Sequence, residues 1–143
     1  MTLPARVSFV TLAVRDLPKM AAFFRQFGWP EAKDNDENHV AFQCGGAVLG
    51  LFGAEHYEQT FGPAPEPGAF KGFTLAINLE DAEAVDRAYD SARSAKDIEI
   101  LGEPTDLSFG GRGFVVRDPE GNVWDVIWTE GTSFDERGGL IFP

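Results

Sequence analysis

The sequence predicts an α+β fold in which two βαβββ modules form a curved mixed sheet around a cleft. Two observations support this prediction. A strand-like alternation changes into a helix-like period twice along the 143 residues, once in each half. The stretches at these two changes, TLAVRD from Thr11 and TLAINL from Thr74, begin with the same three letters. We therefore expect a single domain, residues 1–143, built from an internal duplication.

The first module is predicted over residues 6–53. The stretch RVSFVTLAV alternates between two faces with a period of two, which is typical of a strand. In the following RDLPKMAAFFRQFG, Asp16 suits an N-cap, Pro18 suits a first helical turn and Gly28 suits a helix end. Three more strands are predicted in WPEAKD, HVAFQCG and AVLGLFG.

The second module is predicted over residues 71–128, after a Pro- and Gly-rich linker loop at 54–70. FTLAINL is expected to be a strand and EDAEAVDRAYDSARSAK a helix. DIEILGEP, FGGRGFVVRD and NVWDVIW are expected to be the remaining strands, with DPEG as the hairpin turn before the last one. Residues 129–143 are left as a C-terminal tail.

The net charge of −11 argues against nucleic acid and anionic membranes as partners, because both require clustered basic residues. Cys44 is the sole cysteine, so the chain has no internal disulfide and suits a reducing cytoplasm. No apolar run approaches the roughly 20 residues that span a bilayer, and the first residues lack a signal peptide's pattern. We therefore expect a cytoplasmic protein.

Three stretches resemble the vicinal oxygen chelate superfamily, which includes glyoxalase I, bleomycin-resistance proteins, fosfomycin-resistance enzymes and extradiol dioxygenases. They are FVTLAVRDLPKMAAFFRQFGW from Phe9, GGAVLGLF from Gly45 and GGRGFVVRDPEGNVWDVIW from Gly110. The last is the most specific, because DPEGNVWD is similar to the family's DPxGxxxE signature. The resemblance covers residues 6–128 and implies the glyoxalase-like fold predicted above.

The resemblance implies a divalent metal held by one residue from each of four strands, typically histidines and carboxylates. The corresponding residues here are Phe9, Gly50, Thr74 and Asp125. Only Asp125 offers a good metal donor. We therefore expect no metal cofactor, and a divalent metal only with a ligand set foreign to the family. Glu55 or His56 in the predicted loop is conceivable as a substitute ligand, but a solvated loop position is favoured for both.

The alternation of the strands and the expected hairpin register predict which side chains face the cleft. They are Val7, Phe9, Thr11, Val48, Gly50, Phe52, Thr74, Ala76, Arg112, Phe114, Val116, Asp125 and Ile127. A largely apolar cavity with few polar groups is typical of a small-molecule site. Asp125 is the candidate catalytic residue, either a general base with a raised pKa or the partner of a cationic or hydroxylated ligand. The alternative is a structural carboxylate paired with Arg112, which itself either clamps a ligand carboxylate or faces solvent.

The sequence therefore predicts a small-molecule binding protein with a degenerate metal site, similar to the bleomycin-resistance branch. The ligand would be apolar or cationic. Two alternatives stay open: a metal-dependent lyase, isomerase or dioxygenase similar to lactoylglutathione lyase, and a metal-free enzyme using Asp125 as base. The resemblance also implies a homodimer, and the tail contains apolar residues that should pack on something: Phe134, Leu140, Ile141 and Phe142.

Overall fold

The computed structural model describes residues 3–143, and its helices and mixed sheets confirm the predicted α+β class. In chain order the elements are β1 Phe9–Val14, α1 Leu17–Arg25, β2 His39–Cys44, β3 Ala47–Gly53, α2 Ala54–Phe61, β4 Leu75–Asn78, α3 Ala82–Ser94, β5 Glu99–Ile100, β6 Thr105–Leu107, β7 Gly111–Arg117, β8 Val123–Thr129, β9 Ser133–Phe134 and β10 Leu140–Ile141. The chain divides into two compact units. The first unit runs to Ala64 and includes Asp135–Gly139; the second unit comprises Pro65–Phe134 and Leu140–Pro143.

The first unit contains a sheet with strand order β1-β3-β2, in which β1 runs parallel to β3 and β2 runs antiparallel to it. Helix α1 starts where predicted, because the Asp16 carboxylate accepts a hydrogen bond of 3.1 Å from the Lys19 amide. Leu12, Met20 and Phe24 are buried and form part of this unit's core. The helix therefore covers the apolar face of the sheet and leaves the other face to the mixed side chains.

Two predictions for the first half are wrong. WPEAKD is not a strand: it makes only an isolated bridge between Glu31 and Phe42. Pro30 accepts a hydrogen bond from Gln43, but its nitrogen has no proton with which to continue a ladder. The segment expected to be a loop begins with helix α2, which ends before Gly62 at φ 95°. The Pro and Gly residues that suggested a loop lie after this helix, so its own sequence, AEHYEQTF, is free to be helical.

The second unit contains a sheet with strand order β4-β8-β7-β5, to whose β7 the short β6 is also paired. β4 runs parallel to β8, and β7 runs antiparallel to it. Helix α3 starts at the Asp81 N-cap, whose carboxylate accepts a 2.7 Å hydrogen bond from the Ala84 amide. The predicted strand DIEILGEP contains only the two-residue β5, because Gly102 and Pro104 are poor continuations of a ladder; the short β6 follows beyond the predicted stretch.

The DPEG turn between β7 and β8 is built around the buried side chain of Asp118. Its carboxylate accepts hydrogen bonds from the Glu120 and Asn122 amides, the Asn122 side chain and the Trp124 indole, at 2.9–3.1 Å. From the segment before β4, the Lys71 ammonium donates to the Glu120 carbonyl and to the Asn122 side chain, at 2.9 and 2.8 Å. The turn is therefore held by Asp118 from within and by Lys71 from the segment before β4.

The tail beyond β8 forms a small antiparallel pair, β9 with β10. None of the helices within residues 3–143 combines the length and hydrophobicity needed to cross a lipid bilayer.

Candidate functional site

A cavity of about 470 Å³ opens in the second unit. Its lining comes from the end of the segment before β4, the stretch from Leu101 to Phe109, and strands β7 and β8. The lining residues are Thr74, Leu101, Gly102, Glu103, Thr105, Leu107, Phe109, Gly113, Phe114, Val115, Val123, Asp125 and Ile127. The volume lies within the range of roughly 300–1,000 Å³ that is usual for small-molecule sites, and most of the lining is apolar.

Asp125 lies in the middle of β8, paired with Val115 on β7 and with Ala76 on β4. The side chain is partly buried among apolar neighbours, and this burial raises the pKa of its carboxyl group above the ordinary value. Within residues 3–143 no hydrogen-bond donor and no basic side chain reaches the carboxylate. The cavity therefore presents a carboxylate whose hydrogen-bonding capacity is available to a ligand.

The proposed pairing of Asp125 with Arg112 is not present. Arg112 donates to Asp86 of α3 at 2.8 and 3.0 Å and to Asp106 of β6 at 3.0 Å. The two carboxylates raise the pKa of the Arg112 guanidinium, mainly through these hydrogen bonds, Asp86 first. Arg112 therefore ties α3 to the β6–β7 ladder and is not a group that clamps a ligand in this cavity.

The hairpin register explains why three predicted cleft residues are on the wrong face. Arg117 pairs with Val123, so the connection has five residues, 118–122, and each odd-numbered residue of β7 faces an odd-numbered residue of β8. The residues opposite Trp128, Val126 and Trp124 are Arg112, Phe114 and Val116, and none of these shares a face with Asp125. The Phe114 ring packs edge-on against Tyr89 of α3, with ring centroids 5.4 Å apart, although Phe114 also borders the cavity.

Four of the predicted residues thus border the cavity: Thr74, Asp125 and Ile127 on the open side of the second sheet, and Phe114 from the other face. Ala76 lies beside Asp125 and is exposed, but it does not line the cavity. The sequence prediction missed the contributions of Gly113 and Val115 on β7 and of the stretch that contains β5 and β6, which pair with β7. These residues are Leu101, Gly102, Glu103, Thr105, Leu107, Phe109, Gly113 and Val115. The available signal was the position of Gly102 and Pro104, which interrupt the expected strand.

In the first unit, the predicted side chains do share one face of the β1–β3 ladder. The paired residues are Phe9 with Val48, Thr11 with Gly50 and Ala13 with Phe52. Phe9 is 56% exposed and Val7, just before β1, is 67% exposed. A Cβ built on Gly50 would lie 3.5 Å from the Thr11 hydroxyl, 3.6 Å from the Phe9 ring and 3.8 Å from Nε2 of His39, which are ordinary contact distances, so these three side chains surround Gly50.

Both histidines of the chain contact the same ring in the first unit. The centroid of Phe52 lies 4.7 Å from that of His39 and 5.0 Å from that of His56, which α2 places there. Phe61 of α2 lies 6.0 Å from Phe52 as well. This clustering of rings on Phe52 was not predicted, because it depends on α2 being a helix.

The side chains present do not fit the divalent metal that the family resemblance implies. Across residues 3–143, no three His, Cys, Asp or Glu side chains converge in a way that would hold a metal ion. Phe9 and Gly50 in the first unit have no donor atoms in their side chains, and Thr74 in the second unit offers only a neutral hydroxyl. Asp125 alone supplies a carboxylate at the implied positions.

Comparison with known proteins supports the fold. A family model described as Glyoxalase/Bleomycin resistance protein/Dioxygenase superfamily matches residues 6–126. A glyoxalase-related enzyme from Fulvimarina pelagi superimposes with a TM-score of 0.84 at 23% identity, covering 97% of this chain and 99% of that chain. A family enzyme from Burkholderia phytofirmans PsJN gives 0.78 at 25% identity, covering 87% and 99%. Lactoylglutathione lyase from Agrobacterium tumefaciens gives 0.69 at 24% identity, covering 88% and 95%. No curated protein matches the sequence.

Proposed function

This chain belongs to the Glyoxalase/Bleomycin resistance protein/Dioxygenase superfamily, and we propose that it uses the fold to bind a small apolar or cationic molecule without a metal ion. The observation that carries the proposal is the cavity of about 470 Å³ in the second unit, lined mainly by apolar groups around Asp125. An apolar cavity with a few polar groups is the usual form of a small-molecule site. Binding there would remove Leu101 and Phe109, which are 42% and 67% exposed, from water.

The donor set argues against the metal-dependent alternative. A lyase, isomerase or dioxygenase of the metal-dependent type would need nitrogen or oxygen donors where this chain has Phe9 and Gly50. The likeness to the lyase from Agrobacterium tumefaciens, at 24% identity, supports the fold but does not identify a substrate for this chain. We therefore do not assign the reaction of that enzyme to this chain.

A second candidate function is metal-free proton transfer with Asp125 as the general base. It is favoured by the same partial burial that raises the pKa of Asp125 toward the pH at which a base is most effective. Thr74 and Thr105 supply the side-chain hydroxyl groups of the lining, which would be the neutral polar groups beside this base. Binding is the first proposal, because it needs only the cavity.

The binding proposal is tested by titrating the protein with a neutral fluorescent hydrocarbon amine, N-phenylnaphthylamine. The variant Val115→Trp places an indole in the cavity beside Asp125, whereas Leu3→Trp adds the same ring at an exposed position of the first unit. We expect Val115→Trp to weaken binding by about tenfold or more, equivalent to the loss of one well-buried group. Equal affinity of the two variants for the probe would show that the probe binds outside this cavity. The cavity would then have no support as the binding site.

We further propose a cytoplasmic location and a homodimer. The location rests on the single cysteine, Cys44, which suits a reducing compartment. The dimer rests on the tail, where Leu140, Ile141 and Phe142 are 43%, 52% and 71% exposed. Apolar side chains next to a short edge strand such as β10 are suited to pairing with a second copy.

A further inference from the structure

The ionisable residues that line the cavity have one sign of charge. They are Glu103 and Asp125, and the lining contains no Lys, Arg or His. β4 and the segment before it contribute Thr74, and β7 contributes Gly113 and Val115, none of which titrates. The polar groups facing a bound molecule are therefore two carboxylates and neutral hydroxyls.

The basic side chains on and near this sheet are engaged elsewhere. Arg112 is paired with carboxylates of α3 and β6 on the other face of β7. Arg117 pairs with Glu99 at 3.1 Å, and the Lys71 ammonium is bound at the DPEG turn. None of these three lines the cavity, and within residues 3–143 the lining offers no basic side chain to offset the charge of Asp125.

We infer that the cavity is selective for organic cations with an apolar body, whose ammonium group binds the Asp125 carboxylate while the body contacts Leu101, Phe109 and Ile127. The inference rests on the proposed function and names the class of ligand. A partly buried carboxylate without a partner is costly, and a ligand ammonium supplies the missing partner. A neutral ligand leaves that cost in place, and an anionic ligand adds repulsion from both carboxylates.

Glu103 has a different role from Asp125 in this inference. Its side chain is exposed at the edge of the cavity, so its attraction for a cation is screened by salt. Asp125 is partly buried, so its contribution should persist at higher salt. The two carboxylates are therefore distinguishable by the salt dependence of their variants.

The test uses three probes with one hydrocarbon skeleton: phenylbutylamine, phenylbutanol and phenylbutyrate. Their affinities are measured by calorimetry at about pH 8, where the amine is protonated and aspartate is ionised. We expect the amine to bind about tenfold tighter than the alcohol, since a charge-assisted hydrogen bond has that size, and the carboxylate to bind most weakly. Asp125→Asn should weaken the amine about tenfold and leave the alcohol unchanged, which also shows that the cavity is intact.

Two further variants complete the test. Glu103→Gln should weaken the amine by a few-fold at low salt only. Glu37→Gln removes one negative charge from an exposed position outside the lining and should change nothing, which excludes an effect of net charge alone. Equal binding of amine and alcohol by the wild type would overturn the cation inference and leave the proposed function standing. Failure of all three probes to bind would overturn both.

Discussion

Asp125 of β8 lies directly opposite Val115 of β7, and its carboxylate has no basic partner within residues 3–143. The arginine that the sequence places nearby, Arg112, is on the other face of the same hairpin. This relationship separates the acidic cavity from the ion pairs that stabilise α3. It also means that the charge of Asp125 can be altered without breaking a protein contact.

Replacing Asp125 with Asn should stabilise the protein at neutral pH. Burial raises the pKa of Asp125 in the folded state. At pH values between the ordinary aspartate pKa of about 3.9 and this raised pKa, Asp125 is therefore protonated in the folded protein and ionised in the unfolded chain. In that window the contribution of Asp125 to the free energy of unfolding falls as pH rises, and above the window the whole cost of burying the charge is present. Asn carries no charge, so urea unfolding should show a higher midpoint for Asp125→Asn at pH 7 and no difference below the ordinary pKa.

The opposite result would be equally informative. A wild type more stable than Asp125→Asn at pH 7 would mean that the ionised carboxylate has a stabilising partner, contrary to the geometry described above.

Metal removal should leave the protein unchanged. Since Phe9 and Gly50 offer no donors, we expect metal analysis of untagged protein to find less than about a tenth of an equivalent of divalent ion. Treatment with a chelator should shift neither the unfolding temperature nor the affinity for the neutral probe. A full equivalent that disappears in Asp125→Ala would contradict this prediction, and a full equivalent that persists in that variant would direct attention to His56.

Replacing Asp118 with Ala should destabilise the protein by about 2–4 kcal/mol, because several buried donors lose their acceptor at once. The Trp124 indole and the Asn122 side chain would be the groups left without Asp118. Asp118→Asn keeps one acceptor oxygen and should lose less. Urea unfolding measures both variants, and equal stability of wild type and Asp118→Ala would show that water replaces the carboxylate at no cost.

The proposed homodimer predicts a mass of twice 15.6 kDa by light scattering at micromolar concentration. Ile141→Asp should shift the equilibrium toward the monomer, because it places a charge among the apolar side chains of the tail. Glu136→Gln, an exposed change in the preceding turn, serves as the control. A wild-type protein that remains monomeric would remove the dimer proposal without affecting the cavity.

The elements that the sequence predicts well are those with a strong local signal. The Asp16 cap of α1 is encoded within a few residues, and both helices are found in the stretches where the sequence predicts them. The most specific of the three stretches that resemble the family contains DPEG, whose Asp118 makes local hydrogen bonds. These features need no knowledge of distant residues.

The parts that the sequence predicts poorly depend on pairing between strands. The faces of Arg112, Phe114 and Val116 follow from the number of residues in the connection, and a misjudgement by one residue reverses all of them. The lining between Leu101 and Phe109 follows from how β5 and β6 pair with β7. The periodicity of a single segment predicts neither the length of the connection nor the pairing of β5 and β6 with β7.

The odd length of the β7–β8 connection determines which charged side chains share the face of the cavity. Losing one residue between Arg117 and Val123 would shift the β7–β8 register by one residue. The side chains of β7 would exchange faces relative to β8, and Arg112 would then share a face with Asp125. One deletion would thus convert an acidic cavity into one with a built-in counterion. The hydrogen bonds that Asp118 accepts within the turn would be disturbed by such a deletion, so the polarity of the cavity depends on the turn keeping its length.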